Sequence, residues 1–137
     1  MWNMSELTSR HAHMLQLVSA APWAILPDYL YAMPLAVENL SSEEMTAIVA
    51  AAGQRVSQSG GGVAVIPIVG PIVPRATIFS EMFGGSSADA IARNIRAAAN
   101  SPEISSIVLD INSPGGNVQG MEEAAAAIYA AAQQKPV

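Results

Sequence analysis

Apolar positions along the chain fall into two short unbroken runs and several stretches with helical spacing. Val63-Ala64-Val65-Ile66-Pro67-Ile68-Val69 is the first run, and Ile107-Val108-Leu109-Asp110-Ile111 carries the second. Runs of this length, rich in β-branched residues, fit parallel strands covered on both faces. Pro67 cannot donate to a ladder, so it predicts an edge position or a bulge for the first strand. Between the runs, Ser86-Ser87-Ala88-Asp89 matches a capping box with Asp in the reciprocal place. The helix it opens puts Ile91 and Ile95 on one face and Arg93 and Arg96 towards solvent. Asn100-Ser101-Pro102 ends that helix, and residues 104–111 become the central strand of a right-handed βαβ unit with parallel strands.

The second run closes on Asn112-Ser113-Pro114-Gly115-Gly116-Asn117. Pro114 has no N–H to give, so the ladder should stop there. Gly115 and Gly116 can take backbone angles closed to other residues and let another chain approach closely. Residues 120–134 then have helical composition, with Met121, Ala125, Ile128 and Ala132 marking the expected buried stripe. Gln133-Gln134-Lys135-Pro136 ends the helix, and Val137 reads as the first residue of another strand.

Ahead of this unit, residues 6–20 predict a helix, Pro22-Trp23-Ala24-Ile25-Leu26-Pro27 a corner, and the residues after it a second short helix. The apolar stretch 14–26 lacks the basic start and clean cleavage pattern of a signal peptide. His13, Gln16, Ser19 and two prolines deny it the length of a membrane span. Ser41-Ser42-Glu43-Glu44 opens a further helix with a hydroxyl cap and an acidic first turn, followed by Met45, Ile48, Val49 and Ala52 at helical spacing. Ser57-Gln58-Ser59-Gly60-Gly61-Gly62 reads as a flexible linker. The chain thus divides into residues 1–59, a helical N-terminal extension and linker, and residues 60–137, an α/β unit. Residues 75–85 form a loop long enough to cover a site.

Composition narrows the function. The chain has 137 residues, enough for one domain with an appendage, and its 51% hydrophobic content argues for a folded protein. Net charge is -5 with six Lys or Arg and no basic cluster, which makes nucleic acid a poor partner. The absence of cysteine excludes disulfides and thiolate metal sites. His11 and His13 lie two apart, so a helix does not place them on one face, and no further ligand completes a metal set. No metal and no cofactor are expected.

The glycine turn is the candidate site. It would leave free N–H groups near a helix N-terminus, a place suited to negative charge. Such groups can stabilise an oxyanion during acyl transfer. A plain strand-to-helix turn is the competing reading. Glu122 and Glu123 sit at the start of the following helix, where carboxylates are favourable, and read as solvent-facing residues, not paired catalytic acids.

The first run with Gly70-Pro71-Ile72, the Asp-Ile-Asn-Ser-Pro-Gly-Gly motif at 110–116, and Lys135-Pro136-Val137 together resemble the S49 peptidase family. That family comprises signal peptide peptidase A and the phage head maturation proteases. Arg10-His11 with Pro22-Trp23-Ala24-Ile25-Leu26-Pro27 is more weakly similar to the N-terminal extension of the phage-type members. The resemblance covers residues 63–137 and implies an α/β fold of ClpP/crotonase type. It would consist of βαβ units with a parallel sheet, incomplete here and preceded by the helical extension. It also implies a serine nucleophile activated by lysine, with peptide hydrolysis through an acyl-enzyme. By position, Gly116 would lend its N–H to the oxyanion hole, supported by the turn at Gly115. Asn117, Val118 and Gln119 would line the substrate groove. The implied partners are a polypeptide substrate, such as a capsid or scaffold protein, and further copies of the chain in a homo-oligomer. The implied setting is the host cytoplasm or the phage prohead.

Here the chain departs from the family pattern. The nucleophilic serine and its lysine are expected beyond the strand that Val137 begins, so neither is among these residues. Lys135 sits at a helix C-terminus, where a cation is structurally favoured, and Ser113 lies inside the oxyanion motif. Neither is expected to be catalytic, and the 137-residue chain alone is expected to hydrolyse nothing. Two other readings compete. One is a non-catalytic assembly module that keeps the front of the fold for oligomerisation. The other is a crotonase-type acyl-CoA enzyme, weakened by the lack of a basic patch for the CoA phosphates. A sheet lacking its later strands would also leave an edge open after Ile111, which predicts poor solubility.

Overall fold

The computed structural model describes residues 20–38, 57–59, 62–76 and 84–137. The helices expected over 6–20 and 41–52, the histidine pair and most of the 75–85 loop lie outside them. In chain order the elements are β1 (Trp23–Ile25), α1 (Pro27–Glu38), β2 (Ser57–Ser59), β3 (Val63–Val69) and β4 (Ile72–Val73). They continue with β5 (Ser86–Ser87), α2 (Ala88–Asn100), β6 (Ser106–Asn112), β7 (Gly115–Asn117) and α3 (Met121–Ala132). The fold is mixed α/β. No helix among the described residues is long and apolar enough to cross a membrane.

One sheet has the order β2-β3-β6 and the other β1-β7-β4-β5. β3 and β6 run parallel over their full length, from Val63 opposite Ser106 to Val69 opposite Asn112, with α2 in the connection between them. β3 buries Ala64, Ile66 and Ile68 on one face, the alternation a strand imposes. Against that face α2 lays Ile91, Ala92, Ile95, Ala98 and Ala99, all buried and spaced as one helical stripe. The predicted βαβ unit is therefore present, and Ile91 and Ile95 face its core.

Several expectations change. The second apolar run is an edge strand among the described residues, not a central one. It exposes apolar side chains on both faces: Val108, 47% exposed, points away from α2, and Ile111, 63% exposed, shares the face of Ile68. Pro67 lies in the middle strand of its sheet, yet β2 reaches only Val63–Val65, so Pro67 pairs with β6 alone. Gly70 N–H donates to Asn112 O, and alternation along β3 turns the nitrogen of Pro67 away from β6, where its missing hydrogen costs no bond. Ser57–Ser59, read as linker, is a strand paired antiparallel with β3, and Gly62 just ahead of β3 has φ +77°. Trp23–Ile25, read as a corner, is also a strand, and the helix expected after it is α1.

The capping box does not form. Ser87 is the N-cap of α2 and makes no side-chain cap bond. The Ser86 hydroxyl is engaged elsewhere: it accepts from Val69 N and donates to Val69 O, both at 2.9 Å. On α3 the buried stripe is Ala124, Ala127 and Ala131, one position off the expected set, with Ile128 at its margin. Alanine on this face allows α3 to approach α2 closely. Lys135 Nζ donates to the carbonyls of Ala98 and Ser101, closing the C-terminus of α2. Glu123 is exposed, as expected, and meets Arg96 at 3.2 Å, a surface pair of small energetic value.

Replacing Ile95, 0% exposed, by alanine should cost about 2–5 kcal/mol in urea unfolding, the range for truncating a buried aliphatic residue. The Asp89 carboxyl resists burial, which would raise its pKa, because the Arg93 guanidinium 2.8 Å away holds it below its ordinary value of 3.8. A depressed carboxyl stabilises the fold above its unfolded value and loses that contribution as pH falls through the lowered one. Arg93→Ala should therefore cost about 0.3–0.5 kcal/mol near neutrality. The deficit should shrink as pH falls below 3.8, which thermal melts across that range would check.

Candidate active site

The two strands of the parallel pair end together. Beyond them Gly70 N–H still bonds Asn112 O at 2.9 Å, and the Ser113 hydroxyl donates to Gly70 O at 2.6 Å. Ser113 Oγ also accepts from Gly115 N at 3.2 Å. One side chain thus ties the end of β3 to the glycine turn that follows β6. Past this clasp the chains pair again in the second sheet, where Ile72 of β4 stands parallel to Gly116 of β7. Ser113, for which no catalytic role was expected, has its hydroxyl engaged by the backbone on both sides of this junction.

β7 is pressed between two neighbours. A Cβ on Gly116 would lie 2.1 Å from Ile72 O, and one on Gly115 would lie 2.2 Å from Ala24 O. Gly115 also has φ +112°, a region that favours glycine. Glycine at both positions is what lets β4 and β1 close on this strand.

On its other side β7 pairs antiparallel with β1, Ala24 opposite Gly116. Leu26 N–H donates to Pro114 O, and Val118 N–H to Pro22 O, both at 3.0 Å. Those bonds lie two residues to either side of the Ala24–Gly116 pair. Hydrogen-bonded pairs alternate along an antiparallel ladder, so Gly116 N–H points at Ala24 O. The sequence anticipated free N–H groups next to a helix start. Instead, Gly116 is buried in a strand, and the helix begins later, at Met121 after Gly120 with φ +84°.

The residues expected to line a groove are divided. Asn117 is 6% exposed, and its Oδ1 accepts from Gln119 N at 2.8 Å, folding the side chain onto its own loop. Val118 and Gln119 are exposed beside β1. Lys135 lies at the far end of α2 with its ammonium held by backbone carbonyls. No cluster of His, Asp and Glu able to hold a metal occurs among the described residues. Sequence reasoning missed β1 as part of this site. Its cue was a β-favouring Trp-Ala-Ile-Leu run bracketed by Pro22 and Pro27.

Two phage head proteins resemble the chain. The head-tail preconnector protein GP5 of Enterobacteria phage P21 is 35% identical over 83 residues, covering 61% of this chain and 17% of that protein. Capsid assembly protease C of Escherichia phage lambda is 30% identical over 107 residues, covering 73% of this chain and 24% of that protein. The chain spans about a quarter or less of the length of these curated relatives. No protein-family model matches the chain, and no solved structure matches it.

Ser113→Ala should cost about 1–3 kcal/mol, because it strips the partner from a part-buried carbonyl and a part-buried N–H. Gly115→Ala should cost about 2 kcal/mol or more through strain at positive φ and collision with β1. Chemical denaturation of both variants checks the ranking, and a Ser113→Ala variant as stable as the parent would contradict the clasp.

Proposed function

We propose that the chain is the front part of a serine peptidase of S49 type that acts in phage capsid maturation. In this reading residues 1–59 are an extension, and residues 60–137 begin a ClpP-like peptidase domain. The observation that carries it is the similarity to a capsid assembly protease over 73% of this chain. The glycine strand adds chemical sense, since it is an extended backbone with an N–H directed sideways at the carbonyl of an adjoining strand.

Peptide hydrolysis of this kind needs a hydroxyl made nucleophilic by a base and a donor waiting where negative charge develops. Gly116 N–H is the proposed donor, with Gly115 shaping the turn beneath it. Asn117, Val118 and Gln119 are the proposed groove, Val118 and Gln119 by contact and Asn117 by holding the loop. The serine and the lysine that takes its proton would lie beyond Val137. The substrate is then a polypeptide of the capsid or its scaffold, and the working form an oligomer in the prohead or host cytoplasm. No cofactor enters the chemistry.

The test is the product of the whole reading frame that contains these codons. It should carry a serine and a later lysine, react with a fluorophosphonate probe at that serine, and cleave a capsid or scaffold protein. The 137-residue chain should take up no probe. Labelling of that chain at one of its own serines, or a full product without a reactive serine, would contradict the reading. The second outcome would put an assembly module in its place.

A further inference from the structure

We infer that the segment Pro22–Pro27 is an internal ligand of the peptide-binding edge, seated where an extended substrate strand would lie. The inference rests on the reading of β7 as the substrate edge and deepens it by naming what occupies that edge and which peptides it prefers.

The geometry is that of strand addition, in which an extended peptide joins a sheet edge through main-chain bonds while alternate side chains supply selectivity. β1 is three residues long and is held to β7 by a ladder running from Pro22 to Leu26. It contributes no residue to the buried core. Its hold combines this backbone ladder with the half-buried side chains of Trp23 and Ile25, as a bound peptide's would. The Ala24 carbonyl faces Gly116 N–H, the group proposed to polarise a scissile carbonyl. Ala24 itself is exposed, whereas Trp23 and Ile25 on either side are half-buried. Peptides favoured by this edge should accordingly place large apolar residues on both sides of the position opposite Gly116. Pro22 and Pro27 bracket the strand. Pro22 has no N–H to extend the ladder and Pro27 opens α1, which limits the segment to a short, displaceable seat.

A segment tethered in the same chain competes at an effective concentration of order millimolar, so a free peptide at micromolar concentration should be excluded while β1 is in place. Proline at position 24 deletes the N–H that faces Gly116 O, and proline at 26 deletes the bond to Pro114 O. Both positions are exposed, so the core should be unaffected. Leu26 O, which accepts from Tyr29 N and Leu30 N at the start of α1, is retained in the second variant.

The experiment uses the full chain, Ala24→Pro and Leu26→Pro, with a fluorescein-labelled peptide of residues 20–28 read by anisotropy and amide exchange read at Gly116 and Val118. The expected result is peptide binding at least about tenfold tighter in both variants than in the parent, with faster exchange at both amides. Equal binding to all three proteins would overturn the internal-ligand proposal and leave the groove reading standing. Faster exchange in the variants with no binding of any peptide would overturn the groove reading, and the proposal with it. Unchanged exchange in both variants would show that β1 does not hold the edge, and would also overturn it.

Discussion

The architecture depends on a strand with no side chains where it is narrowest. β7 carries backbone neighbours on both sides, and the spaces that Cβ atoms would need at Gly115 and Gly116 are filled by Ala24 O and Ile72 O. Any other residue pair would drive β1 or β4 away. The rest of the site follows from that closeness. β4 fixes the plane of β7, the Ser113 hydroxyl sets where the turn begins, and the remaining donor of Gly116 can point only towards β1. The glycines thus act through what they admit as much as through their own conformations.

Behind this strand the packing is one-sided. α2 covers the face of β3 that carries Ala64, Ile66 and Ile68, with α3 packed on α2, while β6 presents Val108 to solvent on the opposite face and Ile111 on the face of Ile68. Ile107 N–H donates to Pro136 O, so the segment after α3 returns to the β6 edge. A strand with exposed apolar side chains and a partly used edge is suited to receiving more structure. The relatives it matches are several times longer than this chain.

How much of this could be read from sequence varied with where the information resides. β3, α2 and β6 were legible because burial writes itself into local spacing, as in Ile91 and Ile95 one turn apart. The α3 stripe was misplaced because a helix of alanines offers little contrast, and the larger Met121 and Ile128 drew the assignment to the wrong meridian. β2 is Ser-Gln-Ser, with no apolar pattern, and it is a strand only because β3 lies beside it. β1 depends likewise on bonds to residues some ninety positions away along the chain. Ser86 matched a helix cap by type and spacing, yet a nonlocal partner, Val69, took its hydroxyl. For the candidate site, sequence located the glycines and their expected use. It did not reveal that the N–H of Gly116 already faces a carbonyl.

That carbonyl is the point on which the account turns. The most direct measurement is the scalar coupling across the hydrogen bond between Gly116 N and the carbonyl carbon of Ala24, read by solution NMR on the labelled chain. The account predicts a resolvable coupling together with slow exchange of the Gly116 amide. A fast-exchanging Gly116 amide with no coupling to Ala24 would contradict it, leaving β7 an open edge and β1 no part of the site.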